Sequence, residues 1–282
     1  MYNDLSTITG KFPRVYPRKH RYFSKETEHN VWFSIIKDRG GVYIGTMTDE
    51  NYTLATKSLS SLFFLIDNDT AILNLHRLYL FLVDMAHNQD EFFELFEPNY
   101  RKRIGALISE KYPENDAKFI TYILKNEGRS IVNYHRKRLA CVRKKKCGEY
   151  WLSSPELFSR LKKMVYYKRV FLIKGNFPVA DGLIEIAEKM QKYNLTAGVI
   201  FLSDIETKFG NSDVFAKNIR KIPHSSNTLI LRTVRGIGNA KSDGFSYLSQ
   251  NLKNYVEYKT AGESKDPESM ISKGKKNGIV IH

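Results

Sequence analysis

A short apolar run that breaks at a glycine, a helix, and a second apolar run that ends in an acid constrain this chain more than any other feature. Gly41-Val42-Tyr43-Ile44 stops at Gly45, which opens the loop Gly45-Thr46-Met47-Thr48-Asp49-Glu50-Asn51. Leu54, Ala55 and Leu59 suggest a short helix. Leu62-Phe63-Phe64-Leu65-Ile66 reads as a buried strand closed by Asp67, 22 residues after Gly45. That spacing suits a nucleotide-type βαβ unit, where the glycine lets backbone approach the ligand and the acid meets ribose hydroxyls. It also suits an ordinary βαβ unit whose strand ends in Asp. Met47 stands where the usual pattern has its second glycine.

The sheet resumes late in the chain. Val170-Phe171-Leu172-Ile173 is a strand that leads into Lys174-Gly175-Asn176-Phe177-Pro178, and Asp181 caps the helix that follows. Strands at about 197–202, ending Ser203-Asp204, and 228–234 flank a short helix near 213–220, and Tyr255 to Tyr258 reads as a last edge strand. Continuous apolar strands alternating with helices argue an α/β fold, a mostly parallel sheet covered on both faces. Between the two stretches of strands, a buried helix runs from Asp69 or Thr70 to about Asn88, and residues 100–147 read as a helical insertion. Ser154-Pro155-Glu156 is a helix start. The chain divides into a basic N-terminal arm (1–30), the sheet domain (31–260) and a flexible polar tail (261–282).

With 282 residues and 42% apolar composition the chain can bury a sizeable core. No apolar run approaches the roughly 18 residues that span a bilayer, and the N-terminus shows no secretory h-region. Cys141 and Cys147 make neither a disulfide scaffold nor a zinc site, so a reducing cytoplasm is the simplest compartment, and the seven histidines show no metal spacing. The net charge of +15 predicts an anionic partner: nucleic acid, phosphoinositide membrane or an acidic protein surface. Residues 129–146 hold Arg129, Arg136, Lys137, Arg138, Arg143, Lys144, Lys145 and Lys146 without an acid. On a continuous helix, the groups starting at 136 and 143 are about two turns apart and display charge along overlapping faces. A second cluster is Arg14, Arg18, Lys19, Arg21 and Lys25. The plainer reading of both is a solvated basic surface.

The strand-end loops together resemble an uncharacterised bacterial family with a class I methyltransferase-like Rossmann fold. The matching residues run in order through Tyr43-Ile44-Gly45, Asn51-Tyr52-Thr53, the strand ending in Asp67, Phe92 to Phe96, Ile173-Lys174-Gly175-Asn176, Val199 to Asp204, Asn218, Pro223 and Leu229 to Thr233, over roughly residues 35–235. The resemblance implies a Rossmann-like sheet with S-adenosylmethionine across the strand ends. Gly45 and Asn51 would lie in the first cofactor motif, Asp67 on the ribose, Asn176 at the adenine edge, and Asp204 near the transferring methyl as the catalytic acid–base group. Glu206 is second choice, and a helix cap is the other role open to Asp204. The sequence departs from the family at Met47, where a glycine is expected, and at Asn176, where an acid is expected. A weaker resemblance links the tail Gly262-Glu263-Ser264-Lys265-Asp266-Pro267-Glu268-Ser269 to effectors injected by Legionella-type type IV secretion systems, which would place the protein in a host cell. Two functions follow from these readings: an S-adenosylmethionine-dependent methyltransferase, or a catalytically degenerate Rossmann-fold binding module that engages an anionic partner. His76 reads as a core histidine, His135 as a surface residue, and Tyr150-Trp151 as core or as a pocket wall.

Overall fold

A computed structural model describes residues 1–8, 20–175, 181–205, 213–236, 240–260 and 278–282. The chain begins with α1 (Tyr2–Leu5); beyond residue 20 an extended segment leads into a 3-10 turn (His29–Trp32) and α2 (Phe33–Ile36). β1 (Val42–Thr46), α3 (Glu50–Lys57) and β2 (Leu62–Asp67) form the first βαβ unit. A helical stretch follows: α4 (Thr70–Met85), α5 (Gln89–Glu94), α6 (Pro98–Lys111), α7 (Glu114–Tyr122), a π-helical turn (Ile123–Glu127), α8 (Gly128–Arg143) and α9 (Pro155–Tyr166). The sheet then continues through β3 (Val170–Lys174), α10 (Asp181–Lys192), β4 (Ala197–Phe201), α11 (Asp213–Arg220), β5 (His224–Arg235), β6 (Phe245–Asn251), α12 (Leu252–Thr260) and β7 (Val280–Ile281).

The seven strands lie in the order β3-β2-β1-β4-β5-β6-β7. β3, β2, β1, β4 and β5 are mutually parallel, whereas β6 and β7 pair antiparallel. The order 3-2-1-4-5 is that of a doubly wound sheet, and the molecule is α/β with helices on both faces, consistent with a Rossmann-like fold. Strand alternation separates two cores. Tyr43, Phe63, Leu65, Phe201 and Leu231 face the layer that contains α3 to α9. Val42, Ile44, Phe64, Ile66, Ile200 and Ile230 face Leu5 of α1, Leu183 and Ile186 of α10, Phe215 of α11 and Tyr255 of α12. Both faces of the central strands β1, β2 and β4 are buried, so a continuous apolar run rather than alternation marks these strands in the sequence.

Helix starts follow local chemistry. Asp69 caps α4 by accepting the Ala71 amide at 2.9 Å, and Ser154 caps α9 ahead of Pro155. Two expectations need correction. Residues 255–258 are not an edge strand but part of α12, because Leu252, Tyr255 and Val256 are spaced as a helical stripe and bury against α11 and the sheet. The strand beside β5 is instead β6, whose seven residues pair with Leu229 to Arg235. The two cysteines are also joined: Cys141 and Cys147 form a disulfide with Cα atoms 5.3 Å apart. It closes the turn that ends α8, where Lys145 takes a left-handed φ of 55° and the Lys145 and Lys146 amides cap the carbonyls of Val142 and Cys141. Among the described residues, no helix is long and apolar enough to cross a membrane. Cys147→Ser opens the short loop between the two cysteines and should lower stability by about 2 kcal/mol on loop entropy alone, read as a shift in the urea midpoint.

Candidate functional site at the carboxyl edge of the sheet

The chain leaves β1 toward β2 on one side and reaches β4 on the other, so the topological switch point lies between β1 and β4. Ligands of open α/β sheets bind outside the carboxyl ends of such strands. The two residues that turn the chain there are both strained. Met47 after β1 has φ of 70° and Ser203 after β4 has φ of 52°. A non-glycine residue in the left-handed region costs roughly 1–2 kcal/mol, and such strain collects at functional sites. Met47, at the position where the nucleotide-binding pattern leads one to expect a glycine, thus has the backbone conformation glycine favours.

The residues expected to hold a cofactor make internal contacts. A Cβ on Gly45 would lie 1.9 Å from Asn51 Oδ1, so the space beside the glycine belongs to the Asn51 side chain. Asn51 is fully buried, donates to the Thr46 and Thr48 carbonyls at 2.7 Å each, and accepts the Tyr43 hydroxyl at 2.9 Å. Asp67 accepts the Asp69 amide at 2.8 Å. Burial pushes its carboxyl up to about 7, against the pull of the Asp69, Met47 and Asn68 amides. Asp204 and Met47 share a cleft of about 270 Å3 with Arg21, Lys25, Glu26 and Arg235. Asn176, Glu206 and the tail residues 262–269 lie outside the described residues.

Residues 20–28 form a strap over this edge, with its described contacts at several points. His20 Nδ1 donates to the Asp69 carboxylate at 2.9 Å. Phe23 stacks on Tyr134, with ring centroids 4.8 Å apart. The Thr27 amide donates to Asp243 at 2.7 Å, and the Glu28 amide donates to the Tyr247 hydroxyl at 2.9 Å. The buried Glu26 carboxylate accepts from the Ser203 hydroxyl, from the Thr233 hydroxyl at 2.9 Å and from His29 Nε2 at 3.1 Å. Ser203 and Thr233 belong to the ends of β4 and β5, so a side chain of the protein itself occupies the carboxyl edge of the sheet beside the switch point.

Behind the strap is a closed polar cluster that the sequence did not reveal. Asp49 is fully buried and accepts from the Tyr150 hydroxyl and from Trp151 Nε1 at 3.0 Å. His135 is not on the surface: it is fully buried against Tyr150, and burial holds its imidazole down at about 4. Tyr150 and Trp151 are core residues. His76 is a satisfied core histidine, accepting the Tyr52 hydroxyl at 2.6 Å and donating to the Met47 carbonyl at 2.8 Å, and burial holds it down at about 4. Glu50 accepts from Thr48 at 2.9 Å, and burial, then the Asp49 and Glu26 carboxylates, push it up to about 8.

Nor do the expected basic residues all share one surface. Arg138 is buried: its guanidinium lies 5.2 Å from the Tyr150 ring centroid and donates to the Glu26 carbonyl at 3.2 Å. Arg136, Lys137, Arg143, Lys144, Lys145 and Lys146 are exposed. Since α8 ends at Arg143, the last three lie on its capping turn rather than on a continued helix, near the negative end of the helix dipole.

Two outcomes follow. Gly45→Ala should cost about 1–3 kcal/mol by overpacking, and the double variant with Asn51→Ala should lose less than the two single losses added together; a neutral Gly45→Ala contradicts the packing. The second outcome concerns pH. Glu50 and Asp67 hold protons more tightly when folded, so their stability contribution is fully present below the unfolded carboxyl range and lost as pH rises through about 7 and 8. His76 and His135 act in the opposite sense only below their unfolded value of 6.5. Urea midpoints should therefore fall from pH 6.5 to 8, and Glu50→Gln should remove the upper part of that fall.

Among the described residues, no group of three or more His, Cys, Asp and Glu side chains is placed to hold a metal ion. No curated protein matches the sequence. One family does, and its match covers the strap from Tyr22 and the sheet from β1 to β6: over residues 22–279 the chain belongs to DUF7790, a domain of unknown function.

Proposed function

We propose that the protein is a non-catalytic binding module on a Rossmann-like scaffold, with its nucleotide edge closed by its own N-terminal strap and with a basic ridge that engages a phosphate-bearing partner. The observation that carries this reading is the Glu26 carboxylate, bonded to Ser203, Thr233 and His29 at the carboxyl edge of the sheet. Two further points support it. Asn51 fills the space beside Gly45, and backbone amides engage the Asp67 carboxylate. The cleft that remains, about 270 Å3, falls below the roughly 300–1,000 Å3 of small-molecule sites.

A methyltransferase is the second reading, favoured by the strand order and by Met47 and Asp204 meeting in that cleft. There S-adenosylmethionine would supply the electrophilic methyl group. Gly45, Asn51, Asp67 and Asn176 would hold the cofactor, and Asp204 would take the proton of the acceptor. Thermal shift with S-adenosylhomocysteine separates the two. The binding module predicts no shift at millimolar ligand. A shift that Asp67→Ala abolishes decides for the methyltransferase.

On the ridge, aromatic side chains are few, which favours phosphate contact over base stacking. Affinity for a phosphate polymer should fall steeply with salt, at about −0.9 in log–log slope per contacted phosphate for duplex DNA. Reversing Arg143, Lys144, Lys145 and Lys146 to Glu should weaken binding and flatten that slope while the fold is retained. Binding to duplex DNA and anionic vesicles that is unchanged after reversal makes these residues a solvated face.

A further inference from the structure

Against the strap, sharing His20, Tyr22 and Phe23 with the cleft of Asp204, is a second cavity, of about 540 Å3, that neither reading above uses. Its described walls are His20, Tyr22, Phe23, Phe119, Tyr122 and Glu127. Four are phenyl or phenol rings, one is an imidazole, and the sixth is the carboxylate of Glu127. In a chain with net charge +15, none of the described lining residues is Lys or Arg. The rings line this open space from different elements. Phe119 and Tyr122 come from α7, with centroids 6.0 Å apart, while Tyr22 and Phe23 come from the strap, 6.4 Å apart. His20 meets Phe119 edge-on at 6.2 Å, and its Nδ1 is held by Asp69.

The helix geometry makes this assembly specific. Tyr122 and Glu127 are five residues apart, which on an α-helix places them about 140° apart around the axis. The π-helical turn Ile123–Glu127 lies between them. Wider winding with i to i+5 bonding brings such a pair back toward one side, and π turns recur at functional sites. Tyr122 is also 53% exposed, far more than a large ring needs to be when a core is adjacent. Faces of Tyr and Phe attract cations through the ring quadrupole, and aromatic enclosures with an acid select methylated ammonium groups, which shed water readily.

We propose that the cavity walled by Tyr22, Phe23, Phe119 and Tyr122, with Glu127, is a binding site for a quaternary or methylated ammonium group. The ligand is a small cation or the headgroup of a larger molecule; the recognising chemistry is the same. The carboxylate of Glu127 supplies the counter-charge and the rings supply the walls. Tyr22 is pushed up to about 12 by burial and by the nearby Glu127 and Asp69 charges, so its ring stays a neutral phenol at any physiological pH.

Titration calorimetry on the full chain tests this with choline and with its neutral isostere 3,3-dimethylbutan-1-ol. Choline should bind, and the isostere should bind at least about tenfold more weakly. Glu127→Gln and Tyr122→Ala should each weaken choline about 3- to 30-fold, with circular dichroism unchanged. Retention on phosphatidylcholine vesicles that free choline competes away assigns a lipid headgroup; choline binding without retention assigns a free cation. The proposal is overturned if choline does not bind at tens of millimolar, if the isostere binds equally well, or if both variants bind choline like the parent chain.

Discussion

A carboxylate buried at the end of a parallel sheet must find donors or lose its charge, and Glu26 finds three. Ser203 and Thr233 bring donors from the ends of β4 and β5, and His29 brings one from the turn after the strap. Because these groups are buried, removing the carboxylate leaves each without this acceptor, at about 1–3 kcal/mol per unsatisfied group. That linkage fixes the strap to the sheet and decides what the carboxyl edge can admit.

The same residue connects the sheet to the helical layer. The Glu26 carbonyl accepts from Arg138 of α8, and Arg138 lies over Tyr150, whose hydroxyl reaches Asp49 at the start of α3. A chain of contacts thus runs from the ends of β4 and β5 through the strap to α8 and back to the loop after β1. Its low-dielectric surroundings explain why Glu50 titrates high and His135 low: burial penalises whichever form is charged. A network of this kind specifies one arrangement of helices on the sheet because its members are costly to leave unpaired.

Much of the sheet was legible because its strands are buried on both faces. Leu62 to Ile66, Val170 to Ile173 and Val199 to Leu202 are unbroken apolar runs of strand length. The strap was not legible beyond its position, since Glu26, Thr27 and Glu28 carry the polarity of an exposed arm and gain their partners from residues about 180–220 positions away. His135 and Arg138 misled for a related reason. They sit in a basic run whose neighbours Arg136 and Lys137 are exposed, and only the helical phase of α8 places 135 and 138 inward. The mixture of small polar and apolar residues in β6 hid a strand, while three apolar positions of α12 imitated one. For Gly45 and Asp67 the pattern was visible, but the same pattern serves an Asn51 side chain and backbone amides as readily as a ligand.

Amide hydrogen exchange on the full chain tests most directly whether the strap closes the carboxyl edge. The Thr27 and Glu28 amides donate to Asp243 and Tyr247, so their protection should be comparable to that of amides at the ends of β4 and β5, and should fall together with that of the Thr233 amide when Glu26 is replaced by Ala. Exchange of residues 24–28 at open-loop rates, with β4 and β5 still protected, contradicts the account and returns the edge of the sheet to an external ligand.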